Sequence, residues 1–463
     1  MQETTQNELG TRPITKLMVQ YCTPAIVAMA ASSVYNIIDG IFIGQAVGDE
    51  AIAGLALSAP VMAITTAVGA MVGIGASTLM AVKLGQKDYD TAKSILGNVL
   101  IMNAIMGILL GFLLHLCLKP ILHFFGASEA TLPHAYNFMS IILMGNVVTH
   151  MYFGLNALLR STNRPMKAMH ATLGTVALNC LFAPVFIFDW GLDMGIRGAA
   201  LATVLAQFIM LLWQFRLFSN KSEMIHLDFK KIRLRREIVI PSLTIGLSPF
   251  LINLCACIVV IFYTRNMKEF GGDTGVAAYG IVNRLLLFII MIIIGLDQGL
   301  QPIFGFNYGA RNYGRLLETL RKGITIATIV MVIGFIIGHF FPEPCVAIFA
   351  KDSPELTATA ARGLRTVVLF FPIVGTQIVS VAFFQSIGFP RKSIFLSLTR
   401  QLLFLVPALW IIPHHFGHLF EQPLDAVWYC TPTADAFSCI ISISLLVIEV
   451  RRFKRLQAEQ IAS

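Results

Sequence analysis

Residues 32–40 read Ser32-Ser33-Val34-Tyr35-Asn36-Ile37-Ile38-Asp39-Gly40, inside an apolar run that extends from Leu17 to Gly44. A run of that length can cross a bilayer, which takes about 20 mostly apolar residues as a helix. It also carries an acid in its interior. A carboxylate in hydrocarbon costs at least a few kcal/mol unless it faces a cavity, a partner or a proton, so such an acid marks a functional site unless a neighbouring helix satisfies it as a packing group. Ser32, Tyr35, Asn36 and Asp39 recur at steps of three and four, which puts them on one helical face and turns Ile37 and Ile38 elsewhere. The first span therefore has a wet stripe.

The rest of the chain extends this reading. Of its 463 residues 56% are hydrophobic and only 13% charged, whereas soluble domains carry about a quarter charged residues. Apolar runs divided by breakers predict twelve spans, near 17–44, 53–82, 94–118, 134–158, 165–188, 196–218, 238–266, 275–304, 323–341, 364–387, 391–412 and 424–449. Little is left over for a soluble domain. No Gly-x-x-x-x-Gly-Lys-Ser/Thr loop appears, so an appended ATPase is excluded. The first apolar run is too long for a cleaved signal peptide and lacks a small-residue cleavage pattern. The eight cysteines lie scattered in apolar segments without Cys-x-x-Cys or metal-spaced histidines, and read as packing residues. The sequence has no His-Glu-x-x-His, no Gly-x-Ser-x-Gly and no pair of Asp-rich motifs. No catalytic residue, metal or cofactor is expected.

The net charge of +9 is a membrane signature. Counted over alternate loops, Lys and Arg number 25 on the side that holds both termini and 7 on the other, which places both termini in the cytoplasm. Lys230, Lys231, Arg233, Arg235 and Arg236 cluster in the longest of these loops, 219–237, and read as a topology determinant and anionic-lipid contact rather than a nucleic-acid site. His414, His415 and His418 fall in an external loop, as surface chemistry.

The basic loop also divides two halves that match. Gly48-Asp49 and Ala53 recur 224 residues later as Gly272-Asp273 and Ala277, and the turn Leu84–Tyr89 recurs as Tyr308–Tyr313. Arg164-Pro165-Met166-Lys167 recurs at 225 as Phe389-Pro390-Arg391-Lys392. Because six helices is an even number, the copies are expected to be parallel repeats about an axis along the membrane normal. The expected organisation is an all-α membrane protein with a cytoplasmic N-terminus (1–16), an N-lobe (17–218), the basic linker (219–237), a C-lobe (238–449) and a cytoplasmic tail (450–463). Asp39 at the 224 offset lands on Tyr263, so the second lobe lacks that acid.

Several polar residues stand out against this background. Asp39 falls in the outer half of the first span, where wetting that changes with conformation would let it load and release a proton or bind a small cation. Asn179 and Thr203, each alone among apolar neighbours, offer it partners or serve as interhelical packing contacts. Pro24 and Pro184 leave backbone carbonyls without intrahelical donors, a weak cavity signal. Asp297-Gln298 and Gln301-Pro302 lie in the eighth span, with Asp297 either a second titrating group or a partner for Arg284 or Arg400. Gln377, Gln385 and Arg400-Gln401 are candidate linings of the second lobe, Arg400 equally a helix-end snorkeller. The 34 Phe and 19 Met suit both lipid-facing surface and walls for varied hydrophobic ligands.

The stretches Tyr35–Gly44, Ala53-Gly54-Leu55-Ala56, Gly198–Thr203 and Gln301–Ala310 resemble the multidrug and toxic compound extrusion (MATE) family, most of all its MepA-type bacterial members, over about residues 15 to 450. The resemblance implies a monomeric two-lobe exporter of hydrophobic cationic drugs in the plasma (inner) membrane, in contact with lipid and not with nucleic acid, driven by inward H+ or Na+. It implies Asp39 as the coupling acid, with Tyr35, Asn179 and Thr203 around it, and leaves Asn36, Asp297, Gln298, Gln301 and Arg400 as second titrating or substrate-lining residues. Many relatives have a second aspartate where this chain has Ala183, so coupling is expected to rest on Asp39 alone or with Asp297. The alternative is a flippase for a lipid-linked precursor, which calls for a strongly cationic cavity. An integral-membrane transferase would call for acids or histidines clustered at one interface, which the sequence does not show.

Overall fold

The computed structural model describes residues 8–349 and 353–462, without the side chains of Asn36, Ile37, Asp49, Phe229 and Ala462. Asn36, a candidate site residue, therefore has its side chain outside the described set. Among the described residues the regular structure is entirely helical. This is what a chain needs in hydrocarbon, where a helix satisfies every backbone group within one segment.

The main helices are α1 (Ile14–Val47), α2 (Asp49–Gly85), α3 (Tyr89–Leu116), α4 (Leu118–Phe124), α5 (Leu132–Met144), α6 (Asn146–Ser161), α7 (Pro165–Ile187) and α8 (Ile196–Phe218), then α9 (Arg236–Gly309), α10 (Tyr313–Phe340), α11 (Pro342–Ala347), α12 (Pro354–Val367), α13 (Phe371–Ser386), α14 (Pro390–Leu398), α15 (Val406–Phe416) and α16 (Pro423–Ala462). Among the described residues ten helices are long and apolar enough to cross a membrane, and α5 with α6 makes an eleventh span when the bent pair is taken as one. The 74 residues of α9 would reach about 110 Å at 1.5 Å per residue, far more than the roughly 30 Å of hydrocarbon. Its break is Gly272, at φ 59° and ψ −149°. Divided there, α9 supplies two of the expected twelve spans.

Three expected spans are less regular than the apolar pattern implies. The span near 134–158 is broken at Gly145 into α5 and α6, bent by 56°; a Cβ on Gly145 would lie 2.6 Å from the Val204 side chain, so the bend sits where the chain presses on α8. A 3-10 turn at Val368–Phe370 interrupts the span near 364–387. A π-helical segment at Thr399–Leu405 interrupts the span near 391–412.

The chain forms two compact units. One comprises the residues up to Phe250 with Gly305–Arg311, the other Leu251–Phe304 with Asn312–Ser463. In the first, α1 packs along α7, α7 along α8 and α2 along α6, over an apolar core that includes Ile43, Val61, Phe138, Ile142 and Ile187. In the second, Phe304, Phe383, Phe384 and Phe453 form an edge-to-face aromatic cluster.

The internal repeat is visible in the backbone. Left-handed residues recur in register: Gly48 (φ 100°) and Gly272 (φ 59°), Lys87 (φ 61°) and Arg311 (φ 55°), Asn163 (φ 62°) and Gly388 (φ 74°). Such angles are costly for side chains with a Cβ, and chance does not place three pairs at offsets of 224 or 225. One further pair shows close approach within the first unit. A Cβ on Gly85 would fall 2.1 Å from the Phe306 carbonyl oxygen, and one on its counterpart Gly309 would fall 2.1 Å from the Val82 oxygen. Backbones that meet so closely require glycine.

Part of the basic linker is held in place. Lys231 pairs with Asp90 on α3, Arg235 lies 3.9 Å from the same carboxylate, and the Arg235 amide donates to Asn98 Oδ1 at 2.7 Å. Arg164 is buried and donates to the Leu217 and Ile225 carbonyls at 3.2 and 3.1 Å while pairing with Glu223. These cations fasten helix ends to the linker instead of all lying free for lipid.

Candidate functional site

In the first unit, the packing of α1, α7 and α8 assembles three of the candidate residues. The Tyr35 hydroxyl lies 3.0 Å from Thr203 Oγ1. Thr203 gives its own proton to the Ala199 carbonyl at 3.1 Å, so Tyr35 is the donor to Thr203. Asn179 Nδ2 bridges the two, at 3.2 Å from Tyr35 and 2.9 Å from Thr203. Three helices are thus tied by one amide and two hydroxyls.

Asp39 lies one turn beyond Tyr35 on the same face of α1, 8% exposed. Its Oδ1 is buried and has no hydrogen-bond partner among the described residues. Such an atom loses the solvation of water and gains nothing in return. No arginine or lysine neutralises Asp39 in this unit, so the dry ion pair that would make it a packing acid is not formed among the described residues. Ala183, where the resemblance implies a second acid in many relatives, is fully buried within the apolar core beside Ile187, Ala199 and Ala202.

The remaining candidates belong to the second unit. Asp297 has a buried Oδ1 without a partner among the described residues. Gln301 is 5% exposed and Gln298 is half-buried. Of the readings open for Asp297, a pairing with Arg400 is not formed among the described residues: Arg400 Nε donates to Asp435 Oδ1 at 2.7 Å. Asp435 is an acid of the last span that the sequence reading passed over. The signal was available, because Thr431 and Asp435 stand four apart in an apolar run, as Tyr35 and Asp39 do.

Asp435 adds to Asp297 a second acid in the half that lacks a counterpart of Asp39 at the 224 offset. Tyr263 bonds Thr431 as Tyr35 bonds Thr203, and both pairs are separated by 168 residues. By its contact Tyr263 is therefore the counterpart of Tyr35, one helical turn from the place that counting from Gly272 assigns to it. Four residues past each threonine stand Gln207 and Asp435. Gln207 accepts from Thr149 at 2.6 Å, and Asp435 accepts from Arg400. The acid thus lies on the first helix of one repeat and on the last helix of the other. Around it, Gln377 accepts from Ser438 at 3.2 Å.

Comparison with known proteins gives one consistent result. A model of the MatE family matches residues 24–185 and 245–411. The chain is 26% identical over 447 residues to the multidrug export protein MepA of Staphylococcus aureus (strain MSSA476), covering 95% of this chain and 94% of that protein. It is 24% identical over 405 residues to the protein of the same name from Staphylococcus saprophyticus, covering 87% and 88%. Among solved structures, MATE in the bent conformation aligns with a TM-score of 0.90 at 24% identity over 98% of this chain and 99% of that chain. A MOP superfamily transporter from Pyrococcus furiosus, described as having a binding pocket of reverse polarity, aligns at 0.90 and 24% over 96% and 98%.

Proposed function

The chain belongs to the MatE family of membrane transporters, and from that membership we propose that it exports hydrophobic cationic and amphipathic drugs across the plasma membrane by alternating access, in exchange for inward H+ or Na+ carried on Asp39. The observation that carries this reading is the buried Asp39 oxygen without a hydrogen-bond partner among the described residues, one turn from the Tyr35–Asn179–Thr203 network. A carboxylate left incomplete in a dry place takes up a proton or a cation when the path to it opens. The network beside it is built from hydroxyls and an amide, which coordinate or relay without a fixed charge of their own.

Coupling needs only that the ion favour one arrangement of the protein and the drug the other. One inward cation gains about 2.3 kcal/mol per 100 mV, enough for roughly a fifty-fold gradient of a neutral solute at 1.4 kcal/mol per factor of ten, whereas exchange for a singly charged cationic drug moves no net charge and is driven by the concentration gradient of the ion. The names of the staphylococcal relatives support export of several drugs as the task. Both termini lie in the cytoplasm on this reading, as the excess of Lys and Arg on their side requires.

The test is Asp39→Asn. In proteoliposomes with a separately imposed pH or sodium gradient, the wild type should extrude a cationic dye under one or both gradients. The variant, inserted at wild-type level, should lose at least tenfold of that rate. A well-inserted variant that extrudes normally under the driving gradient would sink the assignment.

A further inference from the structure

The second unit holds a cavity of about 480 Å³ remote in sequence from every candidate of the coupling site, and within the size range of small-ligand pockets. Glu343 of α11 stands on one wall. The other is one face of α12, where Thr357, Ala358, Ala361, Arg362 and Arg365 recur at helical spacing. All of these residues belong to a single compact unit, at the end of α10 opposite the turn 310–312.

Both arginines are held from one side only. Arg365 Nε donates to the His339 carbonyl at 3.1 Å and Nη2 to Glu343 Oε1 at 3.0 Å. Arg362 donates from Nη2 to Gln422 Oε1, and its Nε lies 3.6 Å from Asp425. On each guanidinium Nη1 has no partner among the described residues, and the two side chains keep 40% and 46% of their exposure. Glu343 Oε2 is likewise unengaged among the described residues. The cavity is therefore lined by two anchored donors and one acceptor, with the two positive charges balanced by Glu343 and Asp425. Exposed Phe340, Phe341, Ile348 and Phe349 bracket α11 in the chain, so a polar cavity and an apolar surface adjoin at one end of a span.

We propose that this cavity binds the headgroup of a phosphoethanolamine lipid. The phosphate sits on the two Nη1 groups, the ammonium on Glu343 Oε2, and the acyl chains follow the exposed phenylalanines and Ile348. A guanidinium gives phosphate a charge-assisted hydrogen bond. A charge-balanced pocket suits a ligand that is itself balanced. Phosphoglycerol brings only the anion and leaves Glu343 facing a like charge, while phosphocholine brings a cation with no N–H to donate. The inference goes beyond the export reading and does not depend on Asp39; on the orientation proposed above, the lipid belongs to the outer leaflet.

Intact-complex mass spectrometry of purified, delipidated protein tests this, with phosphatidylethanolamine, phosphatidylcholine and phosphatidylglycerol of matched chains. Ala358→Trp fills the cavity from an exposed position without touching a charge, so subtracting its lipid count removes lipids held elsewhere on the surface. Wild type should bind one phosphatidylethanolamine more than Ala358→Trp, and bind it at least fivefold more tightly than either other lipid. Glu343→Gln keeps an oxygen for Arg365 and loses the charge; it should bring phosphatidylethanolamine and phosphatidylglycerol within twofold of each other, and it carries the test by itself if Ala358→Trp does not fold. Equal counts in wild type and Ala358→Trp, a site that takes phosphatidylcholine or phosphatidylglycerol as readily, or a preference kept in Glu343→Gln would overturn the proposal. Displacement of the lipid by an equal concentration of soluble glycerophosphoethanolamine would overturn the lipid as occupant in favour of a free solute.

Discussion

At the scale of single residues, the first unit separates a network that is complete from an acid that is not. Asn179 bonds both Tyr35 and Thr203, while Tyr35 also bonds Thr203 directly. The Tyr35 hydroxyl and the Asn179 amide each enter two of these bonds, so removing either group breaks the same number. Interhelical bonds of this kind are worth about 0.6 kcal/mol on average and up to about 1.7. Asn179→Leu and Tyr35→Phe are each expected to lower the midpoint of thermal unfolding in detergent, by similar amounts, and a variant as stable as wild type would show that its bonds do not tie the three helices. Ala183 makes the opposite case. An acid there would place a carboxylate in the apolar core that holds Ile187, Ala199 and Ala202, at a cost of up to about 2.5–3.5 kcal/mol, the value for an acid at the centre of a span. Ala183→Asp should accordingly reduce the yield of folded protein, and a variant as stable as wild type would mean that the place is wetter than its packing indicates.

Elements are joined here by close backbone contact and by charge at their ends. The Gly85–Gly309 approach leaves no room for a methyl group. Gly85→Ala forces α2 away from Phe306, and insertion or thermal stability should fall well below that of an alanine placed at Gly280, where a Cβ would meet nothing within 4 Å. The linker is joined by charge instead. The hydrogen bond and charge of Lys231, with Arg235 behind it, hold Asp90 below the usual carboxylate range. A carboxyl whose affinity for protons is lowered by folding contributes above its unfolded pKa, near 4, and the contribution is lost as pH falls through the folded value below that. Protease sites in 219–235 should become accessible below about pH 4, and at neutral pH in Asp90→Asn; protection in that variant would show that Asn98 and Arg164 suffice.

On the scale of the whole molecule, duplication has preserved backbone landmarks and let the polar chemistry diverge. Left-handed residues, the glycine pair and the Tyr–Thr bond recur. The acids do not. One half keeps on its first helix an acid without a partner among the described residues; the other has Asp297, likewise without one, and an acid bound to arginine on its last helix. Two like frames with unlike chemistry suit a carrier whose ion and cargo are held by different groups. With the twelve spans expected from sequence both ends would lie on one side, and the distribution of Lys and Arg predicts that side to be the cytoplasm. A tag after Ser463 should resist protease added to intact cells and be cut once they are opened; cutting in intact cells would reverse the orientation.

Periodicity, composition and charge bias determined by themselves that this chain is a helical, many-span membrane protein made of two related halves, because apolar length and repeated turn chemistry are local properties. The same local logic picked out Asp39, Tyr35, Asn179, Thr203 and Arg400, each conspicuous as a polar group in an apolar run. Which of them meet was decided only by the packing of helices far apart in sequence. That packing joined Tyr35 to Thr203 across 168 residues, gave Arg400 to Asp435 and not to Asp297, and bent one span at Gly145 where α8 presses on it. A partner is a matter of distance in space, and spacing along one helix carries no record of it.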